Sequence, residues 1–217
     1  MPVDQLIQIP FLLDFKNLQL DKIIIFIVSV LAAVTVNAEG QAVMATMLGD
    51  TQRESKDRLH FNPLFHLDIS GTLCFIIAGF GWPRPVYIDS ANFKHPNFYL
   101  VLSRFAGPFA NLFLAGIAGS ILWIMHIYGL EDQVFSIVIS VNLMMFVFSF
   151  LPIPPLAGAS LFAPLLPKGK NKAAEVSAKV CPYLLVLAFS ILRFYHVGFL
   201  NEFFHPIVRS VFMFLAG

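Results

Sequence analysis

Few residues in this sequence could do chemistry, and three of them stand together. Asn37, Glu39 and Gln41 interrupt an otherwise apolar run. A carboxylate in such a run is costly to bury, so Glu39 is a functional candidate: a proton carrier, a base or half of an ion pair. Its partner could be Arg104 or a residue on another protein; a protonated or hydrated Glu39 needs none. Asn37 and Gln41 stand four apart, on one helix face, where they can bond to each other or to helix backbone. Metal chemistry needs imidazole, thiolate or carboxylate donors. The six histidines are His60, His66, His95, His126, His196 and His205, and no two stand four apart on one helix. They read as interfacial or loop residues, with a metal site built from His60 and His66 across a turn as the alternative. Cys74 and Cys181 lie in separate apolar runs, form no Cys-x-x-Cys pair and read as small buried hydrophobes.

The elements that must hold these residues are set by composition. The 217 residues are 58% hydrophobic and only 12% charged, with a mean hydropathy of +0.77. Soluble domains usually carry about 25% charged residues. So little charge cannot cover a water-exposed surface, and lipid is the expected solvent. The net charge of +1 supplies no field to attract nucleic acid.

Apolar runs give helices over Lys22–Leu48, Tyr99–Tyr128, Gln133–Leu151 and Val176–Leu192, four spans in all. Two shorter runs, Leu67–Trp82 and Phe203–Leu215, are left as partial or complete spans. Val36-Asn37-Ala38 loosely imitates a signal-peptide cleavage site, but Asp4, Asp14 and Asp21 favour a retained membrane helix. Gly49-Asp50 ends the first helix and a polar loop runs to Asn62. Pro83–Pro96 is a second loop, in which Pro85–Ile88 could form a short strand. The fold class is thus an all-α polytopic membrane protein of about four to six transmembrane or re-entrant helices, with at most a short β element. It is expected as a single domain over 1–217.

Orientation turns on Leu67–Trp82, which is short and holds Gly71, Gly79 and Gly81. These features favour a segment that turns back. Arg53, Lys56, Arg58, Arg84, Lys94, Lys168, Lys170 and Lys172 then share one side, cytoplasmic by the positive-inside rule. A full crossing would instead group Arg84, Lys94 and the three connector lysines with Lys16 and Lys22, and would place the N-terminus in the cytoplasm.

Five stretches carry a resemblance. They are Glu39-Gly40-Gln41 running on to Leu48-Gly49-Asp50, Asn62-Pro63-Leu64-Phe65-His66-Leu67-Asp68, Gly79-Phe80-Gly81-Trp82-Pro83, Gly107-Pro108-Phe109-Ala110-Asn111 and Leu151-Pro152-Ile153-Pro154-Pro155-Leu156-Ala157-Gly158. In order and spacing they resemble the site-2 protease family (M50) of intramembrane zinc metalloproteases, over about residues 36–158. The resemblance implies a helical bundle with a cleft that receives a transmembrane peptide. It also implies a His-Glu-x-x-His helix and a later aspartate as the zinc site, with the glutamate as general base.

Carried over residue by residue, Asn37 falls at the first histidine, Ala38 at the glutamate, Gln41 at the second histidine and Ala157 at the aspartate. Ser149 stands where the family usually has an asparagine. Neutral amides are poor zinc ligands, and alanine is neither base nor ligand. Glu39 sits about 100° around the helix from the base position and cannot replace it. Asn111 is intact, and His66 belongs to an element with a structural or substrate-side role in the family. The expectation is a divergent member without catalytic residues or zinc, in a bacterial-type inner membrane. It would serve as a structural or regulatory subunit beside other integral membrane subunits and lipids. Two alternatives stand: an active protease with unconventional ligands, and a transport role or a lipid- or quinone-binding role for the cleft. Glu39, Ser149, Asn111, His66 and Arg104 are the cleft candidates.

Overall fold

A computed structural model describes residues 19–51, 59, 61–130, 133–165, 172–195 and 199–216. Six α-helices carry the architecture: α1 Leu20–Met47, α2 Ile69–Ala78, α3 Pro96–Ile127, α4 Val134–Phe148, α5 Lys172–Phe194 and α6 Phe199–Ala216. With its long apolar helices, the chain is an all-α multi-pass integral membrane protein. By length and composition α1, α3 and residues 176–194 of α5 are long enough to cross a membrane; α2, α4 and residues 206–215 of α6 are shorter apolar helices. The Gln133–Leu151 span is therefore shorter than expected. Its helix is 15 residues, about 22 Å at 1.5 Å per residue, because Ser149 caps it just before the prolines at 152, 154 and 155.

Helix α4 is central. Ile139, Val141, Leu143, Met144, Met145 and Phe148 are all but fully buried. A helix that is apolar all round belongs inside a bundle. It packs against α1 and α3, which also pack on each other. Phe148 stacks on Phe80 at a centroid distance of 3.7 Å, and the edge of Phe189 meets Phe80 at 4.8 Å. These rings join α4 and α5 to the segment that follows α2.

That segment turns back. Helix α2 has 10 residues, about 15 Å, or half a hydrocarbon core. Gly79 ends it at φ +81, a left-handed cap that glycine adopts without steric cost. The returning chain then lies against α2, where a Cβ on Gly71 would come within 2.2 Å of the Trp82 carbonyl oxygen. Leu67 and Pro83 pair as an isolated antiparallel bridge, and the Arg84 amide donates to the His66 carbonyl at 2.7 Å. The two ends of the hairpin thus sit side by side. Asp68 locks its base: one carboxylate oxygen accepts from the Gly71 amide at 2.8 Å, from the Trp82 indole at 3.1 Å and from the Ser70 hydroxyl.

Pro85–Ile88 forms no strand, and no strand occurs among the described residues. Pro83 and Pro85 lack the amide donors that a ladder requires. The loop is held instead by Asp50, fully buried just after α1. Its carboxylate accepts from the Asp89 amide at 3.1 Å and the Asn92 side chain at 2.8 Å. The end of α1 is thereby tied to the start of α3, where Pro96 occupies the first turn.

Candidate functional site

Asn37 and Gln41 lie on the buried face of α1, where the Gln41 amide donates to Asn37 Oδ1 at 2.8 Å. Asn37 in turn donates to Asn111 Oδ1 on α3 at 2.6 Å. Asn111 donates to Asn142 Oδ1 on α4 at 2.8 Å and to the Ala33 carbonyl at 2.9 Å. Asn142 ends the chain on the Val138 carbonyl at 2.8 Å. At the other end Arg104 Nη1 donates to Gln41 Oε1 and to the Val86 carbonyl, both at 3.0 Å. One guanidinium and four neutral amides therefore run continuously across three helices. Buried polar groups that satisfy one another avoid a desolvation cost of about 1–3 kcal/mol each.

The helices approach closely enough for this because Gly107 faces Asn37. A Cβ at Gly107 would lie 2.6 Å from both the Asn37 backbone oxygen and its Oδ1. Asn142 has no counterpart among the sequence candidates. An asparagine within the apolar run 134–148 is itself a signal, since polar groups in a span find partners inside the bundle.

Beside the amides lies a cleft of about 470 Å³, whose lining includes Asn37, Gln41, Arg104, Ser149 and Ala157. The Leu-Pro-x-Pro-Pro-Leu-Ala-Gly stretch builds one wall. The Gly158 amide donates to the Ser149 carbonyl at 2.7 Å, folding Ala157 back beside the end of α4. Ala38 is fully buried and packs with Ala42 and Val86. Asn111 sits behind the lining, within the bundle.

Glu39 and His66 occupy another place. Position 39 is about 200° around the helix from position 41, so Glu39 cannot join Arg104 in the cleft. Its Oε1 lies 3.2 Å from Nε2 of His66, and both side chains are buried. Of the partners considered for Glu39, Arg104 is not the one observed: Glu39 pairs with His66, and Arg104 bonds to Gln41 and Val86. His66 lies in the connection between α1 and α2, with its side chain buried. Asn62 caps a 3₁₀ turn over Pro63–His66 by accepting from the Leu64 amide at 3.1 Å, and the turn packs on α1. Glu39 also borders an apolar groove of about 600 Å³ between α1 and α3, with Gly40, Val43, Ala106 and Phe109. His60 lies outside the described residues, and with it the alternative metal site.

The residues at the cleft do not fit zinc. Its lining offers amides from Asn37 and Gln41 and a methyl from Ala157. The hydroxyls of Ser149 and Ser160 bond to the Met145 and Ala157 carbonyls. No imidazole, thiolate or carboxylate is among the lining residues. The Arg104 cation borders the same space and would repel a dication. Among the described residues no group of three or more His, Cys, Asp or Glu side chains comes together.

No protein-family profile matches the chain, and no solved structure matches it. A curated protein of Bacillus subtilis (strain 168), named "Putative zinc metalloprotease YwhC", is 39% identical over 152 residues. The shared region covers 66% of this chain and 69% of that protein. By that likeness over more than two thirds of the relative's length, the chain belongs to the site-2-protease-like family of membrane metalloproteases.

Proposed function

We propose that this chain is a non-catalytic member of its family. It works by contact, as a structural or regulatory subunit of a membrane protein complex, with residues 1–217 as a single membrane domain. The observation that carries this reading is the bonding of Gln41 to Asn37 and of Arg104 to Gln41. The family resemblance puts Asn37 and Gln41 at the two zinc histidines, Ala38 at the base and Ala157 at the third ligand. Hydrogen bonds among neutral amides occupy the space where that chemistry would be assembled. One substitution could be compensated by a neighbour; four together supply neither a ligand set nor a base. The relative's name refers to a zinc activity. That activity would need donors that this cleft lining lacks.

Elemental analysis of the full chain, purified in detergent, tests the reading. Zinc well below one ion per chain is expected, with no change on substituting Asn37 or Gln41. Stoichiometric zinc that disappears in Gln41→Ala would overturn it. Purification from native membranes then identifies the subunits that remain bound.

A further inference from the structure

We propose that the cleft beside Arg104 binds the oxyanion headgroup of a small amphiphile, a phosphate or carboxylate on an apolar tail. Three observations converge on that chemistry. First, Arg104 spends only Nη1 on protein acceptors, and both acceptors are neutral oxygens. Nε and Nη2 find no acceptor among the described residues, and a guanidinium presents such donors as a fork suited to carboxylate or phosphate. Second, among the described residues that line the cleft beside Arg104 there is no carboxylate. Glu39 is committed to His66 on another face of α1. Third, the rest of the lining is largely apolar, including Trp82, Ile88, Leu100, Met145 and Leu156. That surface suits a tail.

Size and depth narrow the occupant further. A volume of about 470 Å³ falls in the roughly 300–1,000 Å³ range of small-molecule sites. Arg104 is eight residues into α3 from Pro96, about 12 Å. The 32 residues of α3 reach about 48 Å, exceeding a 30 Å core by ~9 Å at each end. With α3 upright and centred on that core, the Arg104 backbone would lie ~3 Å inside its edge, from where a long side chain reaches the headgroup layer. The inference rests on the non-catalytic reading, since a substrate peptide would compete for this space. A binding measurement tests it, and peptide cleavage decides that reading separately.

The experiment is calorimetric titration of the full chain in a neutral detergent with dodecyl phosphate, laurate, dodecanol and inorganic phosphate. One anionic amphiphile per chain should bind at least tenfold tighter than dodecanol and than inorganic phosphate. Whichever of dodecyl phosphate and laurate binds tighter identifies the headgroup. Arg104→Gln should abolish the preference over dodecanol, and Arg104→Lys should keep part of it. Should Arg104→Gln fail to fold, Ala159→Phe decides, because it fills the cleft while keeping the cation; it should weaken anion binding at least tenfold. Equal binding of dodecanol, equal binding of inorganic phosphate, or a preference that survives these variants overturns the proposal. So does an acidic transmembrane peptide that binds through Arg104 when neither amphiphile does.

Discussion

Asn37 on α1 donates to Asn111 on α3 at 2.6 Å, and this bond is the hinge of the buried amide chain. Asn111 serves Asn37, Asn142 and the Ala33 carbonyl at once. Asn111→Leu should therefore destabilise the bundle by about 2–3 kcal/mol, since single bonds between membrane helices average about 0.6 kcal/mol but stranded partners add their own cost. Thermal unfolding in detergent measures it. The double variant with Asn37→Leu should cost less than the sum of the two single variants. Strict additivity would show that the two side chains act independently.

The glycines of α3 offer a matched pair. Gly107 meets Asn37 at 2.6 Å from a built Cβ, whereas a Cβ on Gly116 meets nothing within 4 Å. Gly107→Ala should cost about 1–3 kcal/mol by forcing α1 and α3 apart. Gly116→Ala should be neutral or stabilising by up to about 1 kcal/mol, as glycine is in helix interiors. Similar melting shifts for both would contradict the close-approach account.

Much of this bundle was legible in the sequence, for physical reasons. Hydrophobic runs mark helices wherever lipid or core must cover them, and α1 falls within two residues of Lys22–Leu48 at either end. The Asn37–Gln41 bond follows from helical spacing alone. Three features were harder to read. Arg104 and Glu39 attract on charge alone, but residue 39 faces away from 37 and 41, and geometry gave Glu39 to His66 instead. The short strand considered over Pro85–Ile88 does not form, and Pro85 lacks the amide donor that a ladder requires. The start of α6 at Phe199 was read late because Asn201, Glu202 and His205 interrupt the apolar pattern.

Glu39 and His66 form a buried pair at 3.2 Å. Removing one partner of a buried hydrogen-bonded pair strands the other at a cost of about 1–3 kcal/mol, whereas replacing both with apolar groups can be nearly neutral. Glu39→Leu or His66→Leu alone should therefore lower stability by about 1–3 kcal/mol, and the double variant should recover most of it. A double variant as unstable as the sum of the two would show that Glu39 draws its stabilisation from elsewhere.

The return of the α2 hairpin predicts the arrangement of the loops. With Cys74 and Cys181 replaced by alanine, cysteines introduced as Ser55→Cys and Asn171→Cys should react with a membrane-impermeant maleimide from the same side. The positive-inside rule makes that side cytoplasmic. Labelling from opposite sides would require the α2 segment to cross once without returning.

The central claim is that this chain keeps the family's bundle without its hydrolytic chemistry. The most direct measurement is cleavage of a transmembrane peptide by the purified full chain in liposomes, with and without a zinc chelator. The account predicts no cleavage above a protein-free control under either condition, and none in Ala38→Glu, which restores the base position alone. Chelator-sensitive cleavage by the unmodified chain would contradict it.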